Sequence, residues 1–308
     1  MTDHAVQLTG LGKDYRFFSL NDVHLEIPYG TIMGFIGPNG AGKSTTIRIL
    51  MGLVHQDRGE ARVLGHAMPR DQVAAKWDVG FASEDMRLYD GCTVDWHMRF
   101  VRSIFPSWDE EYAQLLLKRF DLRREQRVKG LSHGQRVKAT LLLVFARRPR
   151  LLVLDEPTTG LDPVARHEVL RELTEVMRDE GRSVLFSSHN TQDVEQISDQ
   201  ITFIDRGRVI DSRDKETFLE RWRRIRVELP ADVPLPAFSG VIDVQQAGRL
   251  AVATTNAYDA RLPGAYEAAG IRVQAVEAMT LEEIFVSNVQ HSREGVRAVQ
   301  HSREGVRA

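Results

Sequence analysis

The run Gly37-Pro38-Asn39-Gly40-Ala41-Gly42-Lys43-Ser44-Thr45 narrows the possible folds more than any other stretch of the chain. It fills every position of the phosphate-loop pattern G-x-x-x-x-G-K-[ST]. The glycines let backbone N–H groups turn inward and approach phosphate oxygens, where a Cβ would obstruct them. Lys43 brings a point charge to β- and γ-phosphates, and the Ser44 hydroxyl is suited to ligate Mg²⁺. The flanks agree with this reading. Thr31 to Ile36 is a short apolar run suited to a buried strand, and Ile47, Leu50, Met51 and Val54 recur afterwards at helical spacing. The loop therefore joins a strand to a helix whose N-terminus faces the phosphates, as in an α/β fold.

Length and charge set the outer limits. A chain of 308 residues accommodates one large domain and a small one. A formal charge of −2 gives no electrostatic case for nucleic-acid binding. The single cysteine, Cys92, excludes an internal disulfide and fits a reducing cytosol. Met1-Thr2-Asp3-His4 lacks the basic and apolar regions of a signal peptide. The apolar stretch Ala139 to Ala146 is too short to span a bilayer, so a membrane role is expected to run through a partner.

Short strands are expected at Val6 to Leu8, Val23 to Ile27, Gly59 to Gly65 and Asp78 to Ser83, the last followed by Glu84. Tyr15, between the first two, reads on the residue alone as an ordinary half-buried strand residue, although its ring could stack on a purine. From about 86 to 146 the pattern is mainly helical. Tyr112, Leu115, Leu116 and Phe120 form a stripe, with Trp96, Phe100, Phe105 and Trp108 nearby, and the region reads as helical core. Ser132 and Gln135 in Leu131-Ser132-His133-Gly134-Gln135 have capping-box spacing, which places an anion-accepting helix N-terminus there.

Leu151 to Leu154 followed by Asp155 and Glu156 suggests a strand buried on both faces that delivers two carboxylates to its carboxyl edge. Asp155 is placed to hold the Mg²⁺ shell and Glu156 to orient or deprotonate an attacking water. Asp162 and Pro163 form an N-cap and first helical turn. Ser183 to Phe186 is a further strand, leading to His189 at a carboxyl end where it could reach a γ-phosphate. Closing strands are expected at 201–204 and 208–210. Composition shifts near 222–226, after which three strands (226–229, 250–254, 271–275), a helix at 258–269 and a short helix through Phe285 suggest an α+β module. The decapeptide Val289 to Ala298 recurs identically from Val299 to Ala308 and reads as a mobile tail.

Taken in order, these motifs resemble the nucleotide-binding subunits of ATP-binding cassette (ABC) transporters over about residues 5 to 220, and within them the single-domain ABC-2 export ATPases. The resemblance makes Gly37 to Thr45 the Walker A loop, Leu131 to Gln135 the signature, Leu151 to Asp155 Walker B, Glu156 the catalytic glutamate, Gly160-Leu161-Asp162 the D-loop and His189 the switch histidine. It places Tyr15 at the adenine-stacking aromatic and implies contacts to ATP from Ser132, Gly134, Gln135 and Asp162, with Mg²⁺ on Ser44, Glu84 and Asp155. The implied fold is a P-loop NTPase cassette at 1–222, with a RecA-like core sheet, an antiparallel β subdomain and a helical signature subdomain at about 86–146. A small α+β domain at 223–288 and the repeat tail at 289–308 follow.

The implied activity is Mg-dependent ATP hydrolysis by a head-to-tail dimer, a homodimer in preference to a heterodimer. That dimer would drive a separate integral membrane permease, for export, from the cytoplasmic face of the cell membrane. A soluble ABC-type switch without a permease is the alternative; single-chain translation factors carry two cassettes, and repair factors a long coiled coil that is not seen here. Two residues depart from the family: Glu84 replaces the common Gln, and His133 the common Gly. Glu84 adds negative charge beside phosphates. The His133 side chain reads as solvent-facing.

Overall fold

The computed structural model describes residues 4–178, 181–231 and 233–305, with side-chain surroundings as far as Arg293. The chain divides into two compact units, Met1–Ser212 and Arg213–Ala308.

The first unit opens with a hairpin, β1 (His4–Tyr15) and β2 (Phe18–Pro28), followed by β3 (Ile32–Ile36) and helix α1 (Lys43–Leu50). Next come β4 (Arg58–Val63), β5 (His66–Met68), α2 (Gln72–Trp77) and β6 (Val79–Ser83). Three helices follow: α3 (Val94–Ile104), α4 (Glu110–Arg119) and α5 (His133–Phe145). The unit then runs through β7 (Leu151–Asp155), α6 (Pro163–Val176), β8 (Ser183–Ser188), α7 (Thr191–Ile197), β9 (Gln200–Asp205) and β10 (Arg208–Asp214). Two sheets result, one ordered β2-β1-β4-β5 with antiparallel pairing and one ordered β10-β9-β3-β8-β7-β6. In the second, β9, β3, β8, β7 and β6 pair parallel.

Strand alternation decides what each face meets. Met33 and Phe35 of β3, with Leu151 and Val153 of β7, join α1 and the antiparallel sheet in one apolar core. Gly34, on the other face of β3, lies against Val194 of α7 so closely that a Cβ would stand 2.1 Å from its methyl. β3, β7 and β8 are buried at every position, as strands covered on both faces should be.

The three-helix region is only partly the core expected of it. Tyr112, Leu116 and Phe120 are buried, but Leu115, Trp96 and Phe100 lie at the surface. Trp96 and Phe100, four residues apart on α3, stack on each other there with centroids 5.3 Å apart, so their apolar area is spent on one another. The helices are tied to α6 by polar contacts. Glu172 of α6 is 1 % exposed, receives the Tyr112 hydroxyl at 2.6 Å and pairs with Arg119 at 2.8 Å.

The second unit contains α8 (Lys215–Arg221), β11 (Arg223–Glu228), β12 (Val241–Ala247), β13 (Leu250–Thr255), α9 (Leu262–Ala268), β14 (Arg272–Ala278) and α10 (Leu281–Gly305). Its antiparallel sheet runs β12-β13-β11-β14 over a core of Ile225, Val227, Ala253, Tyr266 and Ile271. Its start at Arg213 precedes the composition shift at 222–226, because α8 packs with α10 rather than ending the first unit. Edge strand β12 is an additional strand; it is largely exposed and carries little apolar alternation to announce it. Helix α10 does not stop at Phe285 but continues through the first decapeptide copy. Leu281, Ile284, Asn288 and Val289 sustain a buried stripe at helical spacing, and no proline intervenes. The side chains of the second copy lie outside those described.

Candidate functional site at the sheet's carboxyl edge

Parallel register assembles the site. Ser83 of β6, Asp155 of β7 and Ser187 of β8 stand in one row, and Ser188 pairs with Ile36 of β3. The residues that follow these strand ends are Glu84, Glu156, His189 and Gly37, so one sheet edge receives all four. Gly37 is required by close approach: a Cβ there would meet the Ile204 carbonyl at 2.4 Å. The loop turns through an Ala41 N–H to Pro38 carbonyl bond at 3.1 Å and enters α1 at Gly42, whose φ of 115° is open to glycine alone. No side chain caps α1, which leaves its first N–H groups to a ligand. Asn39 and Gly40 are exposed at the loop's crest, and Ser44 and Thr45 are half-buried in the first turn.

Lys43 is 5 % exposed. Its Nζ donates to the Gly37 carbonyl at 2.6 Å and pairs with Glu156 Oε1 at 3.0 Å. The other Glu156 oxygen, Oε2, accepts from His189 Nδ1 at 2.7 Å and from Thr159 Oγ1 at 3.0 Å. With a carboxylate as acceptor, His189 carries its hydrogen on Nδ1. Burial pushes the Glu156 carboxyl up, but Lys43 and His189 beside it outweigh that and hold it below the ordinary glutamate value. Glu156 adopts φ 54°, left-handed for a non-glycine residue, and its N–H is held by the Ser187 carbonyl at 3.2 Å and Ser187 Oγ at 3.1 Å. Ser187 Oγ in turn donates to Asp155 Oδ1 at 2.7 Å.

The oxygen donors fit a hard cation. Asp155 is buried, and its carbonyl accepts the Glu84 N–H at 3.3 Å, which places Glu84 beside it. Together with the Ser44 hydroxyl these are all-oxygen donors, the chemistry Mg²⁺ takes. Among the described residues no group of three or more His, Cys, Asp or Glu converges, so the set suits a cation shared with phosphate oxygens rather than caged by protein.

Tyr15 ends β1 as a residue 46 % exposed, with Lys13 Nζ 5.7 Å from its ring centroid, more open than an ordinary half-buried strand residue. Ser132 and Gln135 form the expected capping box at α5, and Asp162 caps α6 through the Val164 and Ala165 N–H groups, which hold its carboxyl below the usual range. Gly134 faces Ala165 and Leu161 at ordinary contact distance. His133 is exposed, as expected, yet its Nε2 lies 3.1 Å from the Thr159 carbonyl. The imidazole reaches an acceptor across the gap between α5 and the turn before α6.

Ser187 and Thr159 were not anticipated as site residues. The signal for Ser187 was a polar pair closing an otherwise apolar strand; Thr159 lies three residues beyond Glu156, the spacing at which a turn folds back.

The family model described as ABC transporter matches residues 20–159. The chain is 31 % identical over 216 residues to the ABC transporter ATP-binding protein YtrB of Bacillus subtilis, covering 70 % of this chain and 74 % of that protein. It is 32 % identical over 219 residues to the Nod factor export ATP-binding protein I of Bradyrhizobium diazoefficiens, covering 67 % of this chain and 69 % of that protein. A solved structure described as the ATP binding subunit of an ABC transporter superposes with a TM-score of 0.65 at 26 % identity, over 70 % of this chain and 92 % of that one. Phosphate loop, paired strand-end carboxylates, family match and solved fold agree, and the chain belongs to the ATP-binding subunits of ABC transporters.

Proposed function

We propose that the chain hydrolyses Mg-ATP as a head-to-tail homodimer and thereby drives a separate membrane permease, in the direction of export. The observation that carries this is the cluster of the buried Lys43–Glu156 pair with the exposed His189 at the edge where the phosphate loop ends. Glu156 binds Lys43 directly, so an incoming γ-phosphate competes for the same ammonium group. Once Lys43 turns to phosphate, the Glu156 carboxylate has lost one cation and is free to orient and deprotonate water. His189 stays bonded to Glu156 and senses whether the phosphate remains.

Mg²⁺ would be held by Ser44, Asp155 and Glu84 and would neutralise charge on the β- and γ-phosphates. Ser187 keeps the Asp155 carboxylate oriented through its 2.7 Å bond. Gly37 to Thr45 cradle the phosphates, and Tyr15 stacks on the adenine. Ser132, Gly134, Gln135 and Asp162 meet the nucleotide held by the other subunit. No helix among the described residues is long and apolar enough to cross a membrane. Coupling to a separate membrane-spanning polypeptide would hold the chain at the inner face of the cell membrane. The export direction follows the Nod factor export relative.

Affinity purification of the tagged chain from detergent-solubilised membranes, beside the same purification from cytosol, tests the reading. A stoichiometric multi-span membrane protein is expected. Recovery of soluble partners alone contradicts it.

A further inference from the structure

His133 opens α5 directly after the Ser132 cap and, although exposed, makes a directed contact within its own chain. A carbonyl only accepts, so the 3.1 Å contact to Thr159 O requires hydrogen on His133 Nε2. The ring lies against Gly160, where a Cβ would stand 3.0 Å from Nε2 and 3.4 Å from Cδ2. Any residue larger than glycine at 160 would displace it. Thr159 is bound at its other end to Glu156, through Oγ1 to Oε2 at 3.0 Å and through its N–H to the Glu156 carbonyl at 3.2 Å. Glu156 itself sits in a left-handed conformation, which a non-glycine residue keeps only where its surroundings impose it. Farther along, Lys138 of α5 pairs with Glu168 of α6, so α5 braces both the turn and the helix that follows it.

We infer that His133 is a positioning residue for hydrolysis. Through Thr159 it fixes the 156–162 turn of its own subunit and, with it, the direction of the Glu156 carboxylate. This rests on the hydrolytic reading above and extends it: the first helical residue of α5 acts within its own chain, whatever its neighbours in the signature contact. The bond needs only an N–H at the Nε2 position. A neutral Nε2–H imidazole and an imidazolium both supply it, so the device is steric and directional rather than a pH switch.

The test uses the full chain at saturating Mg-ATP. His133→Leu removes the donor and is expected to lower kcat about 3- to 10-fold, the range for one lost hydrogen bond, with KM for ATP unchanged. His133→Gln, whose amide nitrogen reaches the Nε2 position, restores kcat. His133→Asn, whose amide stops short of it, does not. In a Thr159→Val background, His133→Leu adds little further loss, because both substitutions act on one carboxylate. Unchanged kcat in His133→Leu, or a raised KM with kcat preserved, overturns the inference. If the wild-type chain turns over no ATP, the hydrolytic reading fails separately, and amide exchange across 158–162 decides the positioning contact. Faster exchange in His133→Leu, reversed in His133→Gln, supports it; identical exchange in all three overturns it.

Discussion

Lys43 Nζ and Glu156 Oε1 form an ion pair of 3.0 Å with both side chains largely out of solvent. The residue proposed to bind phosphate and the residue proposed to activate water therefore neutralise one another. Neither charge is cheap to leave buried alone. Lys43→Ala should cost about 3 kcal/mol or more of stability as well as ATP affinity, because it strands the Glu156 carboxylate. The double variant Lys43→Ala with Glu156→Gln should regain much of that stability while staying unable to bind ATP tightly. Urea unfolding of the two variants checks this; equal stability for both would show that the pair carries no such cost.

The same pair sets a pH dependence. The folded Glu156 carboxyl is held below its ordinary value of 4.5 by Lys43 and His189, against burial. A depressed carboxyl contributes stability above its unfolded value and loses that contribution as pH falls through the folded one. The stability gap between wild type and Glu156→Gln should thus be fully present at about pH 5 and narrow as pH falls below about 4.5. Urea midpoints across that range measure it. A gap that widens on acidification would mean the carboxyl is raised instead.

Glu172 offers a stability test away from the chemistry. It is 1 % exposed, with Arg119 and the Tyr112 hydroxyl as partners. Glu172→Ala should destabilise by about 3 kcal/mol or more, since it leaves a guanidinium and a phenol unpaired between α4 and α6. Glu172→Gln, which keeps an acceptor, should cost less. Thermal unfolding of both variants gives the comparison, and equal losses would locate the cost in packing rather than pairing.

What was legible in the sequence follows a physical division. Phosphate loop, paired carboxylates and the Ser132–Gln135 capping box are short-range patterns whose chemistry depends on adjacent residues, and each lies where the sequence places it, with β3, β7 and β8 around them. What was hidden depends on contacts between distant segments. Nothing beside His133 announces Thr159, because the 3.1 Å bond spans 26 residues and two elements. The outward stacking of Trp96 on Phe100 was hidden for the same reason, since a helical stripe of aromatics does not say whether its cover is another helix or itself. Edge strand β12 lacked signal because an exposed strand needs no apolar alternation.

In the proposed cycle Glu156 activates water for hydrolysis of ATP held on Lys43. Steady-state phosphate release by the wild-type chain and by Glu156→Gln, with equilibrium ATP binding measured beside it, tests this role. A loss of about 10²-fold or more in turnover with ATP binding retained is predicted. Turnover within a few-fold of wild type would show that another group takes the proton.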